Sequence, residues 1–277
     1  MNNTFVNDSV PITAQQQQGV RDGVLGGTLF AINICIVLLN SLALMVIMRF
    51  RTKNCIDILV LGLALTDLTK GLIPVPMAVY TYLSPWYMKD GTAACDFFGW
   101  IAFTTNSASM LILSMMAIER FVAIAKPFAY RSLITKKRME LSVLIAVSFS
   151  AVLSLLPVLG VGRMIPYNHG AYCHFDYSTN TTAARIYSVF VLIYGFTLTI
   201  AVLIAYSVVF YKIRDLIKRH RRFSVAKIVA RVSVSDGKQR KDINLKVEKM
   251  FSYLTVGLMF LYWFSWFPFL VSNSLFR

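Results

Sequence analysis

The sequence predicts an all-α membrane protein, a bundle of spanning helices, and three observations carry that expectation. Of the 277 residues 57% are hydrophobic, and the mean hydropathy is +0.61, well above an average soluble domain. Apolar runs near the ~20 residues that a helix needs to cross the hydrocarbon core recur along the chain. These runs lack the short alternating pattern of barrel strands, and in lipid only helices and closed barrels satisfy their own backbone groups.

Residues 1–23 are polar and lack the apolar core of a cleavable signal, with a low-complexity run from Gln15 to Gln18, so a disordered tail is expected. Asn2-Asn3-Thr4 and Asn7-Asp8-Ser9 are acceptor patterns for N-glycosylation, and Asn180-Thr181-Thr182 repeats the pattern later in the chain. Spans are expected at about 24–48, 57–82, 95–125, 141–161, 184–211 and 250–273, leaving 274–277 as a short end. The third organises the rest. From Cys95 to Arg120 is 25 residues, roughly 37 Å of helix, enough to cross with some tilt.

The formal charge of +15 invites a nucleic-acid reading, but that needs a basic soluble face, and here the excess lies between apolar runs, so no nucleic-acid partner is expected. Arg49, Arg51 and Lys53 lie in the first connection, and Lys126, Arg131, Lys136, Lys137 and Arg138 in the third. The fifth, residues 212–249, holds thirteen Lys and Arg. The alternate connections carry Lys89 and Arg163, and the tail carries Arg21. The positive-inside rule then places the amino terminus outside a multi-pass plasma-membrane protein, with the basic connections in the cytosol. Cys95 and Cys173 fall on the oxidising side and are expected to pair, while Cys35 and Cys55 are expected to stay reduced. Spacing alone would leave three connectivities.

Ionisable groups inside spans mark function or internal pairing. Asp67 is such a carboxylate, either an ion site or a group held neutral or paired. Asn40 and Ser109 are neutral polar groups able to hydrogen-bond across helices. Lys70 lies three residues after Asp67 on the same helical face. It either pairs with Asp67 or faces a pocket for an anionic ligand. His169, His174 and His220 all fall between spans, and no nucleophile with its base is apparent, so neither a metal enzyme nor any other enzyme is expected. A six-helix transporter or channel is the competing class, since Asp67 and Lys70 could line an ion path, although no internal repeat or filter segment is seen.

The run Ser114-Met115-Met116-Ala117-Ile118-Glu119-Arg120-Phe121, continuing to Ala125-Lys126-Pro127-Phe128, resembles the third-helix end of rhodopsin-like (class A) G-protein-coupled receptors. Ser265-Trp266-Phe267-Pro268 is similar to the proline-kinked switch of their sixth helix. The resemblance implies a seven-transmembrane receptor-type helical bundle of which six spans are present. It implies an activation switch of Glu119, Arg120, Tyr206, Glu248, Trp266 and Pro268, with Glu248 either locked to Arg120 or simply solvated. Arg120, Pro127 and Phe128 would meet a heterotrimeric G protein. Asn40, Asp67 and Ser109 match a polar cluster that often binds sodium in that family; no other cofactor is implied.

Ala102 stands where amine receptors carry their aspartate, which speaks against a monoamine. Leu59-Val60-Leu61-Gly62-Leu63-Ala64-Leu65-Thr66-Asp67, the fourth-span end Leu156-Pro157-Val158-Leu159-Gly160, Tyr172-Cys173-His174-Phe175-Asp176-Tyr177 and Ile186-Tyr187-Ser188 look instead like prostanoid receptors. That branch implies an acidic lipid ligand, prostaglandin-like, near Tyr82, Lys70 and Tyr172, whereas Gly170-Ala171-Tyr172 and Trp266 depart from its pattern. Arg221-Arg222-Phe223-Ser224 suits a basophilic kinase such as protein kinase A at Ser224, or is a plain basic segment. Arg277 follows Pro268 by nine residues. The chain is therefore expected to be a fragment or truncated product lacking a seventh span, unable to signal alone, with membrane lipids and a receptor dimer as further partners.

Overall fold

The computed structural model describes residues 12–49, 54–84, 88–125, 127–167, 170–177 and 181–229. In order these form α1 (Ile12–Arg49), α2 (Cys55–Leu72), α3 (Pro74–Leu83), α4 (Ala93–Ala125), α5 (Pro127–Leu133) and α6 (Lys136–Leu155). A π turn (Pro157–Val161), the hairpin β1 (Met164–Tyr167) and β2 (Tyr172–Phe175), and α7 (Thr182–Val229) follow. Among the described residues, five helical segments are long and apolar enough to cross a membrane. The expected span 250–273, with Glu248, Trp266 and Pro268, lies outside the described residues, as do Asn2, Asn7 and Asn180.

The helices differ from the expected bounds in ways their residues explain. Helix α1 begins at Ile12, so the stretch expected to be a disordered tail is helical from there on; glutamine is a good helix former, and the run Gln15 to Gln18 does not interrupt it. Helix α7 continues to Val229, making the first part of the expected 212–249 connection helical, since no glycine or proline lies between Gly195 and Val229 to stop it. The second span is a single crossing, Cys55–Leu83, but it is broken. Pro74 has no amide hydrogen to donate, and Ile73 takes φ −119°, ψ −77° between α2 and α3. The Ile73 amide still donates to the Thr69 carbonyl at 3.1 Å, and Met77 to Ile73 at 3.3 Å.

The chain divides into two compact units, residues 1–109 with 142–187, and residues 110–141 with 188–277. In the first, α1 packs on α2 and α3. A side chain added at Gly71 would lie 2.9 Å from Val37 Cγ2 and 3.2 Å from Asn33 Oδ1, so the missing Cβ is what lets these helices approach, as small residues do at membrane helix contacts. Leu38, Leu39, Leu42 and Met45 on α1 remain exposed, as lipid-facing side chains should. Trp100, Thr104 and Ser107 form a polar stripe on α4 at helical spacing. Trp100 Nε1 donates to the Ala151 carbonyl at 3.1 Å, Thr104 and Ser154 share a 2.6 Å hydroxyl contact, and Ser150 donates to Ser107 at 3.1 Å. In the second unit Val202, Tyr206 and Val209 form the buried stripe of α7, while Leu203 and Ile204 beside them are exposed.

Gly71→Ala should overpack this helix contact at a cost of about 1–3 kcal/mol and lower the thermal midpoint in detergent. Gly27→Ala, on the same helical pair but with nothing within 4 Å of the added carbon, should leave the midpoint unchanged or raise it slightly.

Candidate functional site

Three polar centres lie within the two units, and the first is organised by the hairpin. Cys95 and Cys173 are joined as a disulfide with Cα atoms 5.3 Å apart and a sequence separation of 78. A loop this long gains a few kcal/mol, about 4, from cross-linking in the chain-entropy picture. The strands pair antiparallel, Met164 opposite Phe175 and Pro166 opposite Cys173. Gly170, with φ +87°, turns the chain where an L side chain would be strained. Its carbonyl accepts from the Met88 amide at 2.9 Å, and the next carbonyl, Ala171, accepts from the Thr81 hydroxyl at 2.7 Å. The hairpin turn is thus fastened to the end of α3, which carries Tyr82.

Aromatic rings fill the space under the strands. Tyr167 and Tyr172 stack at 5.8 Å, His174 and Tyr177 at 5.7 Å, and Phe103 of α4 approaches His174 at 6.1 Å. Asp176 is buried and accepts from Arg163 Nε at 2.9 Å, while Arg163 also reaches Asp90 at 3.5 Å. Burial pushes the Tyr172 hydroxyl up from its usual value, and the neighbouring Tyr82 adds to this. Tyr167 is pushed up to about 12, chiefly by burial and then by the charge on Asp176. These phenols therefore remain protonated donors at neutral pH. His174, enclosed by rings, is pushed down to about 4 by the same burial and stays neutral.

The second centre is Asp67. Ser109 donates to its Oδ1 at 3.0 Å, and Thr66 lies 3.1 Å from the same Ser109 hydroxyl. The Thr66 hydroxyl also turns back to the Leu63 carbonyl of its own helix at 2.8 Å. Asn40, expected in this cluster, instead donates to the Ile36 carbonyl of its own helix at 2.9 Å. Lys70 gives Nζ–H to Asn106 Oδ1 on α4 at 2.7 Å. Among the described residues no direct ion pair joins it to Asp67, although each lies in the other's electrostatic field. Lys70 and Tyr82 are twelve residues apart, roughly 18 Å along the helical path.

The third centre lies in the second unit. Glu119 is only 2% exposed, yet the Tyr130 hydroxyl donates to its Oε1 at 2.6 Å and Arg120 Nε sits 3.1 Å from Oε2. Tyr206 is buried within electrostatic reach of both Arg120 and Glu119. Pro127 opens α5 at the position where a missing amide hydrogen costs nothing, and Phe128 beside it is 99% exposed. Ser224 falls within α7. Tyr130, Asn106 and Thr66 were not singled out by the sequence. Only Tyr130 had a legible signal, a phenol one turn into a short helix after a proline.

Comparison with known proteins adds a family. Residues 39–276 match the model of the 7 transmembrane receptor (rhodopsin family). The chain is 24% identical over 220 residues to a Gq-coupled rhodopsin of Mizuhopecten yessoensis, covering 78% of this chain and 42% of that one. It is 29% identical over 152 residues to the prostaglandin E2 receptor EP4 subtype of Rattus norvegicus, covering 54% and 31%. With the prostaglandin F2-alpha receptor of Homo sapiens it shares 34% over 133 residues, covering 45% and 37%. The chain thus spans less than half the length of these curated relatives. The crystal structure of squid rhodopsin superposes with a TM-score of 0.72 at 18% identity, covering 91% of this chain and 71% of that one, a likeness of fold.

The neutral His174 gives a signed pH dependence. Well above the unfolded value of 6.5 neither state is protonated and there is no penalty. As pH falls from there toward about 4 the unfolded chain takes the proton and the folded chain does not, so stability is lost by up to about 1.4 kcal/mol per pH unit. Thermal midpoints measured between pH 7 and pH 4 should fall more steeply for the wild type than for His174→Phe.

Proposed function

Because the chain belongs to the rhodopsin family of seven-transmembrane receptors, we propose that it senses an acidic lipid of the prostaglandin class at the hairpin end of its spans and relays binding to a heterotrimeric G protein at the other. The hairpin end would face the exterior of the plasma membrane, where Asn2, Asn7 and Asn180 could be glycosylated. The observation that carries the ligand reading is the position of Tyr172, a phenol pushed up by burial and then by the neighbouring Tyr82, in a hairpin anchored by a disulfide and two hydrogen bonds next to the end of α3 that carries Tyr82. A carboxylate leaving water needs several donors or a cation, and charge-assisted phenol donors suit it. The resemblance to two prostaglandin receptors points the same way. Lys70, roughly 18 Å away along the helix, would meet a deeper part of the ligand or none of it.

For the output, the buried Glu119 and Tyr206 and the half-buried Arg120 and Tyr130 form a polar set in the second unit, and the end of α4, close in sequence to the exposed Phe128, is the proposed docking surface. Ligand shifts such a switch only by binding its open state better.

Purified protein is expected to bind prostaglandin E2 at least tenfold more tightly than its methyl ester. Tyr82→Phe removes a hydrogen bond to charge worth about 1.5–3 kcal/mol, tenfold or more in affinity for the acid, with a smaller effect on the ester. Lys70→Met should change both ligands by the same factor. Equal binding of acid and ester would sink the carboxylate site. For the output, Tyr130→Phe leaves Glu119 short of a donor and should raise ligand-independent nucleotide exchange by a reconstituted G protein at equal receptor concentration.

A further inference from the structure

We propose that Lys70 is the resident cation of the Asp67 cluster, and that this cluster consequently takes no sodium ion. A cation held among residues matching Asn40, Asp67 and Ser109 is what the family resemblance implies, and the donor set of this chain does not fit it. A hard cation needs several oxygen atoms free to turn toward it. Here Asp67 Oδ1 is engaged by Ser109, and the Ser109 hydroxyl is shared with Thr66. Asn40 turns its Nδ2 to the Ile36 carbonyl of its own helix, and among the described residues no hydrogen bond joins it to Asp67. The neighbouring amide oxygen, Asn106 Oδ1, accepts from the Lys70 ammonium at 2.7 Å.

Charge argues the same way. Lys70 follows Asp67 by three residues, on the same face of α2, and the two groups feel each other's fields. One carboxylate and one ammonium already sum to zero. A sodium ion added there would leave a net positive charge in a span with no water to solvate it. The hydrogen bond to Asn106 keeps the ammonium from swinging away to make room. Asp67 in this chain is thus balanced by a covalently attached cation, whose occupancy does not vary with the ionic composition outside, and this holds whatever ligand the hairpin site takes.

The test compares thermal midpoints of the purified full chain in sodium chloride and in equimolar N-methyl-D-glucamine chloride, which matches ionic strength without a small cation. The wild type should melt at the same temperature in both. Lys70→Gln, which keeps a donor for Asn106 and loses the charge, should gain a saturable, sodium-specific rise of roughly 2–4 °C, and Asp67→Asn in that background should abolish it. A saturable sodium-specific rise in the wild type would overturn the proposal, as would its absence in folded Lys70→Gln. Should that variant not fold, sodium-23 line widths of the wild type decide: no broadening beyond that of Asp67→Asn supports the resident cation, and broadening that Asp67→Asn removes overturns it.

Discussion

A carboxylate in the hydrocarbon interior has no water to fall back on, so the positions of Asp67 and Glu119 decide what must surround them. Each is met first by a neutral hydroxyl, Ser109 for Asp67 and Tyr130 for Glu119, and only then by a cation nearby. Asp176, buried under the hairpin, is served by the exposed Arg163. The same requirement explains the ladder between α4 and α6, where serine and threonine hydroxyls and one indole close on each other and on a backbone carbonyl. Taken singly each such bond is worth little in a membrane. Their effect is to fix which faces of the helices meet, and so to place Phe103, Asn106 and Ser109 on the side of α4 that serves the polar centres.

Composition and charge asymmetry made the spans legible, because crossing a bilayer demands some twenty apolar residues whatever they pack against. The disulfide was legible for a similar reason, since it needed only the side of the membrane on which each cysteine falls. The hairpin was not. Its strands are four residues each, too short for alternation to stand out. The break at Ile73 had its cause in plain view at Pro74, yet hydropathy runs through it unchanged. Lys70 shows the limit most clearly: helical spacing placed it beside Asp67, while its hydrogen-bond partner, Asn106, belongs to another helix 36 residues away in sequence. Periodicity ranks residues within one helix and says nothing of which neighbour answers them.

The spacing of Lys70 and Tyr82 also reshapes the ligand reading. Helical rise puts a path of roughly 18 Å between them, so in the proposed reading the tyrosine meets the acid while the lysine stays nearer Asp67 and Asn106. Tyr82 and Tyr172 come from elements distant in sequence, and it is the disulfide with the Thr81 and Met88 contacts that brings them together. Burial raises the basicity of Tyr172, so this phenol keeps its proton through the physiological range. Its O–H hydrogen stays available to an acceptor across that range.

One helix has a mechanical meaning of its own. At 48 residues, α7 is roughly 72 Å long, more than twice the ~30 Å of hydrocarbon it has to cross. Much of it therefore stands clear of the lipid as an unbroken rod, with no glycine or proline between Gly195 and Val229 to absorb bending. The bilayer acts as the fulcrum of that rod. A reorientation of a few degrees around Tyr206 becomes a displacement of about 2–3 Å at the far end of the rod, roughly 35 Å along the helix, so leverage can enlarge a side-chain rearrangement into a shift felt at its tip.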